Sequence, residues 1–197
     1  EVIMNNLKQL TNDIHRKAEQ KPWAKLLVSG DMEPIQYGTY LWNQLGVYSA
    51  LENRALEKNI FDVTTAKGLR RMHYIQDDLN YYPCVQKKFP STFEYEKYVA
   101  KIQEEQIWAH IYVRHFGDMF GGQMIKQKLP KAKPWSENMP PSDWPEPGVM
   151  LYHFKNKAEL ITTVRSKLTD AMLEECEYVF QSAINLFTDL ENHFDVR

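Results

Sequence analysis

The chain has 197 residues, enough for one domain that buries about 70% of its unfolded surface without disulfides or metal staples. Apolar residues make up 43% and charged residues 25%, ordinary globular proportions, and the 13% of aromatics reads first as a bulky core and only second as a pocket lining. A formal charge of −2 with no basic block excludes nucleic acid as the main partner, and no apolar run approaches the roughly 18 residues of a membrane helix.

In chain order, EVIMNNLKQL lacks the apolar core of a signal peptide. Leu7, Leu10, Ile14 and Ala18 then recur at spacings of three and four, which predicts an amphipathic first helix. A second helix is expected over about 34–58, with Pro34 in its first turn and Tyr37, Tyr40, Leu41, Leu45, Tyr48, Leu51 and Leu56 on its apolar positions. A third is expected over about 64–80, ending before Tyr82-Pro83. Ser91 with Glu94 has capping-box spacing, and a helical pattern follows from about 92 to 128, with a joint near 103–106. Six of the ten prolines fall between Pro130 and Pro147, so about 129–149 should be a long irregular loop. Asn156 with Glu159 opens a last helical run over about 157–193. There is no period-two segment, repeat or low-complexity tract. The expected fold is all-α, a single-domain multi-helix bundle over 1–197.

Two features ask for chemistry. Gly117, Gly121 and Gly122 lie within six residues of a helical run, and each costs a helix about 1 kcal/mol relative to alanine. Without Cβ atoms the backbone can bend or lie against a flat surface; tight helix packing through Gly117-xxx-Gly121 is the plainer reading. Asp118, four residues after Arg114, is either one half of a surface ion pair or a carboxylate that orders water beside the glycines. The second feature is His15, at the edge of the first helix's apolar stripe. Glu19 is one turn later, placed to accept the ring's second N–H as partners of metal-bound histidines do. Lys8 lies seven residues earlier on the same face, about 10 Å away. His110 and His115 flank the glycines and read as surface or satisfied core residues more readily than as ligands. Arg70-Arg71 and Lys126/Lys128/Lys131/Lys133 are local basic clusters that could serve small anions. One imidazole on one helix and a glycine-softened wall on another suit a flat, metallated macrocycle between them.

These segments resemble one family. HIYVRHFGDMFGGQMIKQKL resembles the distal-helix signature of haem oxygenases, Tyr-x-Arg-Tyr-Leu-Gly-Asp-Leu-Ser-Gly-Gly-Gln. TNDIHRKAE resembles their proximal helix, YSALENRAL the second helix, VRSKL a late-helix segment and NLFTDLE the closing helix, all in the family's order. The resemblance implies a haem between proximal and distal helices. His15 would be the proximal iron ligand, with Glu19 beside it. Gly117, Gly121 and Gly122 would form the distal wall, with Phe120 on it, and Asp118 would hold a distal water network with Tyr48 and Arg114 as outer members. Lys8, Tyr112 and Arg165 would meet the propionates. It further implies O2- and electron-dependent conversion of haem to biliverdin IXα, CO and Fe2+. The electron donor would be an acidic ferredoxin landing on Lys8, Lys17, Arg165 and Lys167, and a bilin reductase could act downstream. The pattern is like that of soluble forms from cyanobacteria, algal plastids and phages, which implies a cytoplasmic or plastid-stromal protein.

Several positions depart from the pattern. Phe120 stands where Ser is usual and His115 where Tyr is usual; Asn12 and Ile161 replace basic residues, and Ala183 a frequent Asn. These bear on haem orientation and rate. Other readings of the same residues are a haem store or sensor on this fold, a helical hydrolase using Cys84 or Cys176, and an interaction module in which the glycines only pack.

Overall fold

A computed structural model describes residues 6–61, 68–129 and 146–197. It is all-α, with no strand among the described residues. The first expected helix is two: α1 (Leu7–Leu10) and α2 (Asn12–Glu19) meet at Thr11. The Thr11 hydroxyl bonds back to the Leu7 carbonyl at 2.6 Å, a local interaction that competes with the helix ladder. An unexpected helix, α3 (Pro22–Ser29), follows. Pro22 fits its first turn, and Gly30 ends it in the left-handed region at φ 89°. The second expected helix is α4 (Pro34–Glu57), whose start is fixed by a capping box between Glu33 and Gln36.

Of the third expected helix, residues 62–67 lie outside the described residues. The rest breaks at Arg70-Arg71 and resumes as α5 (Met72–Asp78) with a 3-10 turn at Leu79–Tyr81. The break has a cause: buried Glu52 of α4 accepts the backbone N–H groups of Arg71 and Met72 (2.9 Å for Met72), capping α5 from a distance. Next come α6 (Pro90–Val99) and α7 (Glu104–Phe116). The Ser91–Glu94 capping box does not form. Phe89 holds the N-cap position of α6 without a side-chain cap, Pro90 opens the first turn, and the Ser91 amide donates to Asp189 at 3.1 Å. A capping box does form at Gln103/Gln106, where α7 begins.

After α7 the chain runs through a π-helical turn, Gly117–Gly121, into α8 (Gly122–Lys128). Most of the expected Pro-rich loop, 130–145, lies outside the described residues; beyond it is a 3-10 turn at Met150–Tyr152. The last expected helix is also two, α9 (Lys157–Arg165) and α10 (Leu173–Phe194), separated by a 3-10 turn at Asp170–Met172. Asn156 precedes α9 at φ 54° and makes no side-chain cap, so its expected pairing with Glu159 is absent.

α10 organises the whole. It packs on α2, α3, α6 and α7, while α4 packs on α5, α6 and α7. Leu51, Val99, Ile107, Ile111, Val164 and Cys176 fill one core, and Trp23, Leu41, Tyr152, Leu186 and Leu190 fill another. Each such side chain contributes about 1.5–3 kcal/mol by leaving water. No helix of the described residues is long and apolar enough to cross a membrane.

Candidate functional site

The distal side is built around the π turn. One extra residue in a helical turn bulges the backbone outward, as π-bulges at functional sites do. Gly117 and Gly121 are exposed, and a Cβ on either would meet no atom within 4 Å. Gly122 differs: it is buried, and its Cβ would come 2.3 Å from the ring of Tyr152. Two glycines therefore open a surface and the third lets a buried ring support it from behind. Phe120 and Met124 stand exposed beside them, at 53% and 63%.

Asp118, half-buried, accepts a hydrogen bond from the Tyr48 hydroxyl. Burial pushes its carboxyl up to about 6, against the Tyr48 bond and the nearby charges of Arg71 and Arg114, which pull it down. Burial also pushes the Tyr48 phenol far up, so it stays protonated and donates. No ion pair joins Arg114 to Asp118 among the described residues. The Arg114 guanidinium is buried and spent on Tyr95 Oη (2.9 Å) and Ser182 Oγ (2.8 Å), lying over the Tyr95 ring at 4.1 Å. It reaches Asp118 through its charge alone.

Behind Arg114 runs a fully bonded relay. Tyr95 Oη lies 2.6 Å from His110 Nδ1, and His110 Nε2 lies 2.7 Å from Glu175 Oε1. Because Tyr95 accepts from Arg114, its own proton goes to Nδ1, which puts the imidazole proton on Nε2, facing Glu175. His110 is thus a neutral strut, its pKa lowered by burial. Although burial alone would raise the Glu175 carboxyl, bonds from His110, Gln106 and Tyr98 outweigh it and hold the group low. His115 is a second strut. Its Nε2 lies 2.8 Å from the Leu69 carbonyl, burial pushes it down to about 3, and its ring meets the Tyr48 ring edge-on at 5.3 Å. Neither histidine is available as a ligand.

The proximal side is α2. His15 is half-exposed, rests against Phe180 of α10 at 5.5 Å, and has Nε2 3.3 Å from Glu19 Oε1. Glu19 thus stands beside one ring nitrogen, and the other has no protein partner among the described residues. Lys8 stands exposed on α1. At the far edge, Phe116 is the hub of Tyr112 (5.1 Å), Phe120 (5.6 Å) and the Arg165 guanidinium (6.0 Å above its ring). Lys167 lies over Trp108 at 5.7 Å.

Other expectations change. Arg71 is no anion-binding surface residue but is 1% exposed, while Arg70 faces Glu52 at 3.5 Å. Lys126 pairs with Glu146 at 3.6 Å, and Lys131 and Lys133 lie outside the described residues. Burial pushes both thiols up, Cys176 to about 12, which leaves no activated nucleophile for a hydrolase. Residues the sequence did not single out are Glu52, Tyr95, Glu175 and Ser182. The one available signal was polar groups recurring in register with apolar stripes.

Among the described residues no group of three or more His, Cys, Asp or Glu could hold a metal ion. A lone accessible imidazole suits an ion whose other donors come from elsewhere, such as a porphyrin, and an open glycine surface suits the flat face of one.

Comparison with known proteins agrees. The sequence profile of the Heme oxygenase family matches residues 2–189. Heme oxygenase 1 of Bos taurus is 26% identical over 94% of this chain and 70% of its own length. The heme oxygenase of Takifugu rubripes is 26% identical over 98% and 76%. The fold matches the crystal structure of heme oxygenase-1 from Synechocystis in complex with heme, at a TM-score of 0.75, 22% identity and coverage of 95% and 91%. It also matches heme oxygenase-2 of that organism in complex with heme and NO, at 0.76, 24%, 95% and 84%. With a match over nearly its whole length, the chain belongs to the haem oxygenase family.

Proposed function

We propose that this protein binds haem between α2 and the π turn and opens its ring with O2 and electrons to biliverdin IXα, CO and Fe2+. The observation that carries this reading is the pair of open Cβ positions at Gly117 and Gly121 with a half-buried carboxylate, Asp118, between them. A glycine turn kept only for helix packing would have all its Cβ positions filled by neighbours, as Gly122 does.

Haem would be the substrate and, through its iron, the centre that activates O2. The chain's own residues have four tasks. His15 would take the iron on one face, with Glu19 holding the imidazole's other nitrogen. Gly117 and Gly121 would let the backbone lie against the opposite face, and Phe120 would bound the space left there. Asp118, with one oxygen engaged by Tyr48, would use the other to orient water as an acceptor; near neutral pH it is mostly ionised, so it would order protons without being a strong acid. Lys8, Tyr112 and Arg165 would set the ring's in-plane rotation through its carboxylates, and that rotation chooses the carbon attacked. Electrons would come from an external reductant. An acidic ferredoxin suits Lys8, Lys17, Arg165 and Lys167, and the released bilin would pass to a reductase.

The test is to add haemin to the apoprotein, then reductant and O2, and follow the absorption spectrum. A sharp Soret band that decays as a far-red biliverdin band grows is the expected result. A Soret band that persists with a working reductant would make the protein a haem store or sensor. No Soret shift at all would return the glycines to packing. In His15→Ala the five-coordinate ligand spectrum should be lost and partly restored by imidazole; a spectrum like that of the wild type would mean another residue is the ligand.

A further inference from the structure

Arg71 is a buried guanidinium whose side-chain nitrogens meet no carboxylate within bonding distance among the described residues. It forks onto three backbone carbonyls: Nη1 to Leu151 (3.1 Å) and His153 (2.6 Å), and Nη2 to Gly68 (2.9 Å). The rings of Phe154 (3.9 Å) and Tyr74 (4.7 Å) cover its faces. Burial drags its pKa down to about 10, so the charge is held at a cost. An apolar side chain of similar size would leave these three carbonyls without their donor, so the cost of burying the charge is offset only where the carbonyls are held. A rigid five-donor fork is worth keeping where position matters.

What it positions is the 3-10 turn Met150–Tyr152. Asp78, fully buried, accepts the turn's N–H groups from Met150 (2.8 Å) and Leu151 (2.9 Å). Arg71 holds carbonyls on the same turn and just beyond it. The turn is thus gripped by its donors and its acceptors at once. Its far end, Tyr152, faces the glycine segment twice: its ring lies where a Gly122 Cβ would be, and its carbonyl accepts from Gln123 Nε2 at 3.0 Å.

We propose that Arg71 is a positioning residue for the π turn. By fixing Leu151 and His153 it seats Tyr152 beneath Gly122, and this sets how far the Gly117–Gly121 backbone projects toward the open side. The consequence for ring opening rests on the proposed function; the mechanical claim does not.

The experiment is amide hydrogen exchange on the protein without haem, for the wild type and for Arg71→Met, Tyr152→Leu and Gln123→Leu. Each variant should speed exchange of the amides of residues 118–123, by about tenfold or more where a charge-assisted bond or a supporting ring is lost and by severalfold where the neutral Gln123 bond is lost, and leave those of residues 179–190 in α10 unchanged. Unchanged exchange at 118–123, or equal acceleration in α10, would overturn the proposal. Should Arg71→Met fail to fold, Arg71→Lys, which keeps a cation and loses the fork, takes its place with the same expected and overturning outcomes, and Gln123→Leu tests the link to the turn without touching the buried fork. In haem-loaded protein, Gln123→Leu should shift the infrared stretch of bound carbon monoxide, which senses the distal backbone; an unmoved band would also count against the claim. Failure to bind haem would defeat the proposed function and leave the exchange result standing.

Discussion

One substitution, made at two glycines one residue apart, should change stability in opposite directions. At Gly122 a new Cβ would sit 2.3 Å from Tyr152 Cδ1 and 3.0 Å from Cε1. Carbon atoms rest at about 3.5 Å or more, so the overlap is roughly 1.2 Å. The ring cannot easily yield, being fully buried with its hydroxyl 3.3 Å from that of Tyr37. Overpacking of this kind costs about 1–3 kcal/mol, and better helix propensity returns about 1. Gly122→Ala should therefore lose about 1 kcal/mol net, a fall in Tm of roughly 2–4 °C for a chain of this size. Gly121 has φ −69° and ψ −33°, which alanine adopts freely, and open space around it. Gly121→Ala should gain about 0.4–1 kcal/mol by restricting the unfolded chain. The same methyl would stand where the haem face is proposed to lie and should weaken haemin binding by about tenfold, as about 1.4 kcal/mol of overpacking does. Thermal unfolding of the apoprotein and Soret titration with haemin measure both effects. If both variants shift Tm in the same direction, or if Gly121→Ala binds haemin as the wild type does, then the division between an open and a supported glycine is wrong.

Asp118 yields a pH prediction of definite sign. Its carboxyl rises from 3.8 in the unfolded chain to about 6 in the fold, so the folded state binds the proton more tightly and stability falls as pH rises through that window. Asp118→Asn should stabilise the apoprotein above pH 6, by on the order of 2 kcal/mol, and not at pH 3.5; chemical denaturation at the two pH values checks this. Tyr48→Phe removes a bond that lowers the Asp118 carboxyl, so an acid limb of ring opening with a midpoint near 6 should move to higher pH, read from the rate of biliverdin formation. An unmoved limb would assign it to another group. Arg165→Glu and Lys8→Glu should change the ratio of biliverdin isomers, resolved by chromatography, more than they change haemin affinity, because each removes one anchor of rotation and leaves the iron ligand. A constant ratio would remove both residues from the propionate reading.

Much of this was legible in local pattern. Pro34 and the recurrence from Tyr37 to Leu56 fix α4 to within a residue, and the glycine cluster at 117–122 is costly to a helix on sequence alone. What pattern missed has physical causes. Thr11 breaks the first helix by a bond to its own chain, which apolar spacing does not register. Glu52 interrupts the third by capping α5 across the fold. The relay of Tyr95, His110 and Glu175 joins α6, α7 and α10 across separations of 15 and 65 residues, so no window contains it. Arg71 read as a surface cation because nothing local reveals the three carbonyls around it.

The two walls of the proposed haem site never have to touch in order to be registered, because one rod carries the reference for both. Phe180 and Ser182 lie two residues apart on α10. Phe180 meets the His15 ring at 5.5 Å, and Ser182 receives Arg114 at 2.8 Å. Arg114 lies three residues before the π turn and is locked through Tyr95 and His110 to Glu175, one further anchor on the same long helix as Ser182. A 22-residue helix with Cys176, Val179, Leu186 and Leu190 fully packed is a stiff element, so it transmits position from one of its sides to another without much loss. Between the walls, by contrast, the parts are compliant: an exposed imidazole, two glycines and an exposed Phe120. Rigidity in the helix behind and softness at the two surfaces is the combination that a flat guest needs, since it must enter between them and then be held at one spacing and one rotation.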